Sequence, residues 1–140
     1  MFLGSILLGA LLQLAVVWRF ATQSGWRVPF GLALVALGVA AIAWVLSGMR
    51  RTHQDPDPRK PTPELIVGGP FRFSRNPIYV GMALVQSGVG LALGNPWILL
   101  LLAPTLWILQ RGVIEKEEAY LTRKFGDAYS RYRASVRRWL

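Results

Sequence analysis

Four apolar segments divide the chain, and polar or basic segments separate them. The charge-free runs cover residues 2–18, 28–48, 78–94 and 96–109. A membrane-spanning helix needs about 20 apolar residues, within a range of roughly 17 to 25. The pattern therefore predicts four spanning helices, of which the last is short.

The third and fourth apolar segments form a predicted helical hairpin. The tripeptide Gly94-Asn95-Pro96 between them is a strong turn signal. Pro104 lies inside the fourth segment, where a proline removes a backbone donor and is expected to kink the helix.

Small residues recur at helical spacing in two of the segments. Because they let helix backbones approach closely in lipid, we predict that both stripes pack against neighbouring helices. We interpret Gln86, beside the second stripe, as a hydrogen-bonding link between helices. The first stripe is Ala33, Ala36, Ala40, Ala43 and Ser47, and the second is Ala83, Ser87, Gly90 and Gly94.

The first segment is interpreted as a retained span and not as a cleaved signal peptide. It lacks a basic stretch before its apolar run, and the bulky sequence Trp18-Arg19-Phe20 follows where small residues would precede a cleavage site.

The composition supports a membrane protein of one domain. Of the 140 residues, 53% are hydrophobic and 16% are charged, whereas soluble domains are about 25% charged. The expected fold is an all-α polytopic integral membrane protein with about four transmembrane helices and C-terminal cytoplasmic or interfacial helices. With no cysteine and one histidine, the chain offers no disulfide and no Cys/His zinc site, and no metal is expected.

The basic residues predict how the chain is oriented. Six Lys or Arg residues lie in segment 50–75 and eight from Arg111 onward, whereas residues 94–96 contain none. Four spans place both basic regions on one side, so both termini and the loop that contains residues 68–77 are predicted to be cytoplasmic. The expected divisions are two spans in 1–49, a cytoplasmic loop in 50–76, the hairpin in 77–112 and cytoplasmic helices in 113–140.

The net charge of +9 indicates an anionic partner. Next to membrane spans, that partner is predicted to be anionic lipid and not nucleic acid. Residues 127–139 are predicted to form an interfacial helix in which Tyr129, Tyr132 and Trp139 lie among arginines.

Residues 68–81 combine special backbone positions with polar side chains at the predicted membrane surface. Gly68 and Gly69 permit positive φ angles, and Pro77 suits the first turn of a helix. Read alone, the segment fits a functional loop and a cytoplasmic turn with snorkelling arginines equally well. His53, in the proline-rich stretch before it, is interpreted as a solvated loop residue.

A carboxylate pair lies beside an apolar face in the tail. On a helical wheel Glu118 falls next to Ile114 and Leu121, Glu117 lies on the flank, and Glu115 points away. An unpaired buried carboxylate costs several kcal/mol, so a cation must compensate it. Arg75 or Arg72 would serve structurally, and a cationic ligand would serve functionally; both interpretations stay open from the residues alone.

Several of these motifs, taken in order over residues 61–138, resemble the isoprenylcysteine carboxyl methyltransferase and phospholipid methyltransferase superfamily. The matching stretches are Gly69-Pro70-Phe71-Arg72, Arg75-Asn76-Pro77-Ile78-Tyr79-Val80-Gly81, Glu117-Glu118, Phe125-Gly126-Asp127-Ala128-Tyr129-Ser130-Arg131-Tyr132 and Val136-Arg137-Arg138.

The resemblance implies an S-adenosylmethionine-dependent membrane methyltransferase. Its acceptor would be lipophilic or small, like an isoprenylcysteine carboxylate or a phospholipid amine. Arg75 and Glu118 would act directly in turnover. The cofactor-binding residues would be Arg75, Asn76, Pro77, Tyr79, Gly81, Glu117 and Glu118. The helices in 113–140 would cap the cofactor, and the active site would be cytoplasmic.

Asn76 stands where the family usually has histidine. Asparagine keeps a donor and an acceptor but does not titrate near neutral pH. Two alternatives to the methyltransferase stay open. One is an NADPH-dependent reductase of the sterol-reductase type, because integral-membrane sterol reductases resemble this family in their C-terminal regions. The other is a non-catalytic membrane protein with the same fold, which Asn76 favours. The acceptor and the oligomeric state are left undetermined.

Overall fold

The computed structural model describes residues 1–18, 20, 25–52 and 64–140, and within these ranges the chain contains helices and no strand. The predicted all-α class is therefore confirmed. His53 and most of the proline-rich connection lie outside the described residues. The elements are α1 (Phe2–Ala15), α2 (Arg27–Arg51), a 3₁₀ turn (Gly69–Arg72), α3 (Pro77–Ala92), α4 (Pro96–Leu100), α5 (Leu102–Leu109), a π-helical segment (Gln110–Ile114), α6 (Glu115–Phe125) and α7 (Asp127–Ser135).

Two helices among the described residues are long and apolar enough to cross a membrane. They are α2, with 25 residues, and the 30-residue run Pro96–Phe125 that joins α4 through α6. The apolar helices α1 and α3 have 14 and 16 residues. At about 1.5 Å per residue they fall short of a hydrocarbon core roughly 30 Å thick. The predicted count of four spans therefore stays a prediction.

Helices α2 and α3 meet along a seam of four glycines, which we call the glycine seam: Gly31, Gly38, Gly81 and Gly88. A Cβ atom on Gly38 would lie 2.6 Å from the Gly81 carbonyl oxygen, and one on Gly88 would lie 2.5 Å from the Gly31 carbonyl oxygen. No larger residue fits such a backbone approach, so these glycines set the distance between the two helices.

The alanine stripe predicted to pack on α2 is wrong. All five of its residues are exposed, whereas the buried residues of α2 are Gly31, Gly38, Val45 and Met49. Both sets recur at helical spacing, and the closer approach that the glycines allow decides which face meets α3. The second stripe is only partly buried: Gly90 packs against Leu99, and Ala83 and Ser87 are half-buried.

Polar side chains join α1, α3 and α4 inside the bundle. The Gln86 side chain is fully buried, donates from Nε2 to the Ile98 carbonyl at 2.9 Å and accepts from Ser5 Oγ at 2.9 Å. Asn95 Nδ2 donates to the Gly9 carbonyl at 3.1 Å. The predicted linking role of Gln86 is confirmed.

The hairpin turn between α3 and α4 forms where the sequence indicates it. Gly94 has a φ angle of 62°, a conformation that glycine adopts without strain. Asn95 Oδ1 accepts from the Trp97 backbone N–H at 3.0 Å and so caps α4.

The long helix changes its hydrogen-bond pattern twice. Its first break is at Leu101, between α4 and α5. Pro104 follows within one turn and cannot donate to the carbonyl four residues earlier. The second change is the π-helical segment, after which the charged helix α6 begins.

The C-terminal tail folds back onto the loop that precedes α3. Gly126, with a φ angle of 52°, separates α6 from α7, and α7 ends at Ser135. Tyr129 and Tyr132 are 1% and 8% exposed, and Tyr132 Oη donates to the Phe71 carbonyl at 2.7 Å. These tyrosines face the protein, so the predicted lipid-facing position is wrong for them; the contact of the tail arginines with anionic lipid stays a prediction.

Candidate functional site

A cluster of three charged side chains, of which two are buried and one is half-buried, lies between α6, the tail and the loop before α3. The Arg138 guanidinium donates two hydrogen bonds to the Glu118 carboxylate: Nη2 lies 2.7 Å from Oε2, and Nε lies 3.1 Å from Oε1. Arg75 Nη1 lies 3.0 Å from Oε1. The side chains of Arg75 and Glu118 are 9% and 10% exposed. We call Arg75, Glu118 and Arg138 the charge cluster.

Two sequence-based expectations about this cluster are confirmed. Glu118 points inward, as the helical wheel predicted, and Glu115 is less buried than Glu118. Arg75 is one of the two compensating cations, whereas Arg72 is exposed. Sequence reasoning missed Arg138, because the tail was expected to continue as a helix and instead turns back after Ser135. The signal that pointed to it was the basic motif ending at Arg138.

Asn76 fastens the tail to the start of α3. Its side-chain Nδ2 donates to the Arg138 carbonyl at 2.9 Å, and its backbone N–H donates to Ser74 Oγ at 3.0 Å. Ser74 Oγ donates to the same carbonyl at 3.3 Å, and the Arg75 backbone N–H donates to the Arg137 carbonyl at 3.0 Å. The Asn76 amide therefore acts as a hydrogen-bond donor to the tail.

A cavity of about 400 Å³ opens beside the charge cluster. That volume lies within the range of small-molecule sites, roughly 300 to 1,000 Å³. One end is polar and the remaining wall is apolar. The lining residues are Ile42, Leu46, Met49, Phe71, Arg75, Asn76, Pro77, Ile78, Tyr79, Met82 and Glu117.

Five of the seven predicted cofactor-binding residues line this cavity, and two do not. Glu118 lines a smaller neighbouring cavity that shares Arg75, Asn76 and Glu117 with the large one. Gly81 lies in the glycine seam, where a Cβ would be 2.7 Å from Ile42 Cγ1. Its lack of a side chain therefore serves helix packing and not a contact with a ligand.

The polar end of the cavity combines an arginine, Arg75, with a carboxylate, Glu117. Arg75 Nε is buried and has no hydrogen-bond partner in the part of the chain that the structure describes. Glu117 lies on α6, beyond the apolar part of the long helix. Burial raises the pKa of the Glu117 carboxyl above its ordinary value of 4.5, and the charge of Glu118 raises it further.

Tyr129 closes the buried side of the charge cluster. Burial raises the pKa of its phenol, and the charge of Glu118 adds to the rise, whereas Arg75 opposes it. Tyr129 is therefore neutral at physiological pH and forms part of the wall around Arg75.

Comparison with known proteins places this geometry in context. The profile of the phospholipid methyltransferase family matches residues 26–128. The chain is 34% identical to a protein-S-isoprenylcysteine O-methyltransferase of Schizosaccharomyces pombe over 107 residues, which cover 75% of this chain and 45% of that protein. It is 28% identical to the Rattus norvegicus protein of the same name over 123 residues, 86% of this chain and 43% of that protein.

The chain thus spans less than half the length of these two methyltransferases. A shorter relative, an uncharacterized protein of Haemophilus influenzae, is 38% identical over 63 residues, which are its whole length and 45% of this chain. No solved structure shows significant similarity to the chain.

Proposed function

Because the chain belongs to the phospholipid methyltransferase family, we propose that it is an integral membrane methyltransferase that transfers a methyl group from S-adenosylmethionine to a lipophilic acceptor. The observation that carries the proposal is the cavity of about 400 Å³, in which Arg75 and Glu117 form a charged end and helices α2 and α3 form an apolar wall.

The charges of the polar end fit the cofactor. S-adenosylmethionine has a carboxylate, an ammonium group and a sulfonium, and when bound it supplies a methyl group that is already activated. The Arg75 guanidinium, which lines this end of the cavity, suits the carboxylate. Glu117 suits the cationic groups, because its carboxylate lines the cavity beside Arg75. We assign Glu118 an indirect role, because two arginines already bind it.

The residues of the chain contribute alignment and exclusion of water more than proton transfer. A methyl displacement requires the acceptor, carbon and sulfur atoms in line, which a preformed pocket favours. The apolar side chains of Ile42, Leu46 and Met82 keep water from one side of the cavity. A carboxylate acceptor needs no general base, so Asn76 in place of histidine is compatible with O-methylation.

For the acceptor we propose a prenylated cysteine carboxylate. Two relatives carry the name protein-S-isoprenylcysteine O-methyltransferase, and the apolar wall suits a hydrocarbon chain. A phospholipid amine is the competing acceptor. We consider it less favoured, because the amine would have to lose a proton before transfer.

We further propose that the chain crosses the membrane four times with this cavity on the cytoplasmic side.

The proposed function is tested with the purified full chain in lipid nanodiscs. We expect transfer of labelled methyl from S-adenosylmethionine to a farnesylcysteine, and much less transfer to phosphatidylethanolamine. Binding of NADPH is measured in parallel. Tight NADPH binding without S-adenosylmethionine binding would support the reductase alternative, and cofactor binding without transfer to either acceptor class would refute the proposed acceptors.

Replacing Glu118 should disturb cofactor binding far more than replacing Glu115. Glu118→Ala leaves Arg75 and Arg138 without their shared carboxylate, whereas the contacts of Glu115 are longer and its side chain is 35% exposed. We expect a loss of about 1.5 to 3 kcal/mol for Glu118→Ala, or roughly ten- to a hundredfold in affinity. Calorimetry in detergent measures the cofactor affinity of Glu118→Ala and Glu115→Ala. Equal losses of affinity would contradict the role assigned to Glu118.

A further inference from the structure

The proposed function assigns no role to the C-terminal tail. Both the side chain and the backbone of Arg138, a tail residue, contact residues of the candidate site. Its guanidinium occupies both oxygens of Glu118, at 2.7 and 3.1 Å. Its carbonyl accepts from Asn76 Nδ2 and from Ser74 Oγ. Asn76 lines the cavity, as does Arg75, the other partner of Glu118, so one tail residue contacts the cavity wall directly and Arg75 through Glu118.

In the charge cluster, the Glu118 carboxylate is hydrogen-bonded to Arg138 and is only in ionic contact with Arg75. Arg138 faces Glu118 in the paired, fork-to-carboxylate arrangement that gives the strongest hydrogen bonds. Arg75 Nη1 is also close, at 3.0 Å, but it is not aligned for a hydrogen bond, and Arg75 Nε has no partner among the described residues. Arg75 is therefore neutralised by Glu118 while part of its hydrogen-bonding capacity remains unused.

We infer that Arg138 is a positioning residue that keeps the Arg75 guanidinium available to the carboxylate of S-adenosylmethionine. Without Arg138, Glu118 would be free to turn and pair with Arg75 alone, which would use the N–H groups that the ligand needs. This inference rests on the proposed function, and it assigns Arg138 an effect that depends on whether the ligand has a carboxylate.

Two probes separate this role from a general loosening of the site: S-adenosylmethionine and decarboxylated S-adenosylmethionine, which keeps the sulfonium and amine. Affinities are measured by calorimetry with the full chain in detergent. For Arg138→Gln we expect S-adenosylmethionine to bind about ten- to a hundredfold more weakly. We expect the decarboxylated probe to bind as it does to the parent. Arg137→Gln is the matched control, because the Arg137 side chain is exposed, and it should leave both affinities unchanged.

Two more variants sharpen the test. Arg138→Lys keeps the charge and loses the fork, so its loss should be smaller and still confined to S-adenosylmethionine. In the double variant Arg138→Gln with Glu118→Gln, the carboxylate that would capture Arg75 is gone, so the affinity for S-adenosylmethionine should be no weaker than in Glu118→Gln alone. If Arg138→Gln yields no folded protein, Arg138→Lys decides the question by the same comparison of probes.

The outcomes that overturn the inference differ from those that overturn the function. Equal weakening of both probes, or weakening of neither, would make Arg138 a purely structural residue. A parent chain that binds both probes equally would remove the Arg75–carboxylate contact and the inference with it, while leaving a methyltransferase in place. A parent chain that binds neither probe would overturn the proposed function as well.

Discussion

At the scale of single residues, Asn76 shows how an unusual residue can keep a site intact. Its role in the structure is to donate from Nδ2 to the Arg138 carbonyl. A neutral histidine also carries one N–H donor, so the family residue could make the same bond. An asparagine at this position therefore links the loop to the tail without a titratable group.

Two replacements of Asn76 test that interpretation. Asn76→Leu loses the donor, and because Ser74 Oγ still donates to the same carbonyl, we expect a modest loss of about 1 kcal/mol, or roughly fivefold in cofactor affinity. Asn76→His should keep the affinity. If histidine also serves as a base, that variant should gain turnover with a titration near pH 6 to 7.

Cofactor affinity and methyl transfer against pH are the two measurements for Asn76. Ser74→Ala is a comparison variant, because it removes the other donor to the same carbonyl and also the acceptor of the Asn76 backbone N–H. Should Asn76→Leu bind and turn over like the parent, Asn76 would be only a turn residue before Pro77.

Glu117 provides a pH-dependent prediction. Its pKa lies above 4.5 in the free protein, and a cationic ligand beside it would stabilise the carboxylate and lower that pKa again. Binding should therefore release a proton in the window between the two pKa values, and affinity should rise with pH through that window and level off above it. The same raised pKa makes folding depend on pH in the opposite direction. Glu117 stabilises the folded protein fully below its ordinary pKa, and this contribution is lost as the pH rises through the raised pKa.

Proton release is measured by calorimetry in buffers that differ in ionisation enthalpy. The apparent binding enthalpy should depend on the buffer for the parent and for Glu115→Gln, and it should not for Glu117→Gln. A parent enthalpy that is independent of the buffer throughout the acidic range would mean that Glu117 does not face the bound cation.

At the scale of helices, the glycine seam makes a prediction about α2 and α3. Gly88→Ala would place a Cβ 2.5 Å from the Gly31 carbonyl oxygen. The backbone of α2 cannot move away from this Cβ unless the two helices separate. We therefore expect Gly88→Ala to destabilise the protein by about 1 to 3 kcal/mol. Gly48→Ala is the matched control, because no atom lies within 4 Å of its added Cβ. Thermal unfolding in detergent measures both, and equal midpoints would show that the seam tolerates a methyl group.

The same helices show which features a sequence can predict. The turn at Gly94-Asn95-Pro96 was predictable, because residues 94–97 form it by local hydrogen bonding and a positive φ angle. The packing face of α2 was not, because alanine and glycine recur with equal regularity and only the partner helix selects between them. Likewise Glu118 was placed correctly by periodicity, whereas Arg138 reaches it by a chain reversal that has no periodic signal.

At the scale of the whole molecule, the arrangement in the membrane is the largest untested prediction. The basic residues place segment 50–75 and the tail on the same side. In the structure the two regions meet, since Arg75 and Asn76 are bonded to the tail backbone at residues 137 and 138. Contact between the two basic regions requires them to be on one side, whichever side that is, and this agrees with an even number of crossings between them.

Cysteine labelling tests the side and the number of crossings together, because the chain has no cysteine of its own. Asn95 is a poor position for a label, since it is 5% exposed and bonded to Gly9. Leu93, next to the same turn, is 68% exposed, and Ala134 on α7 is exposed as well. In intact cells an impermeant maleimide should label Leu93→Cys and spare Ala134→Cys until the membrane is permeabilised. The reverse result would put the cavity outside the cytoplasm, and protection of both would show that α3, with its 16 residues, does not cross the membrane.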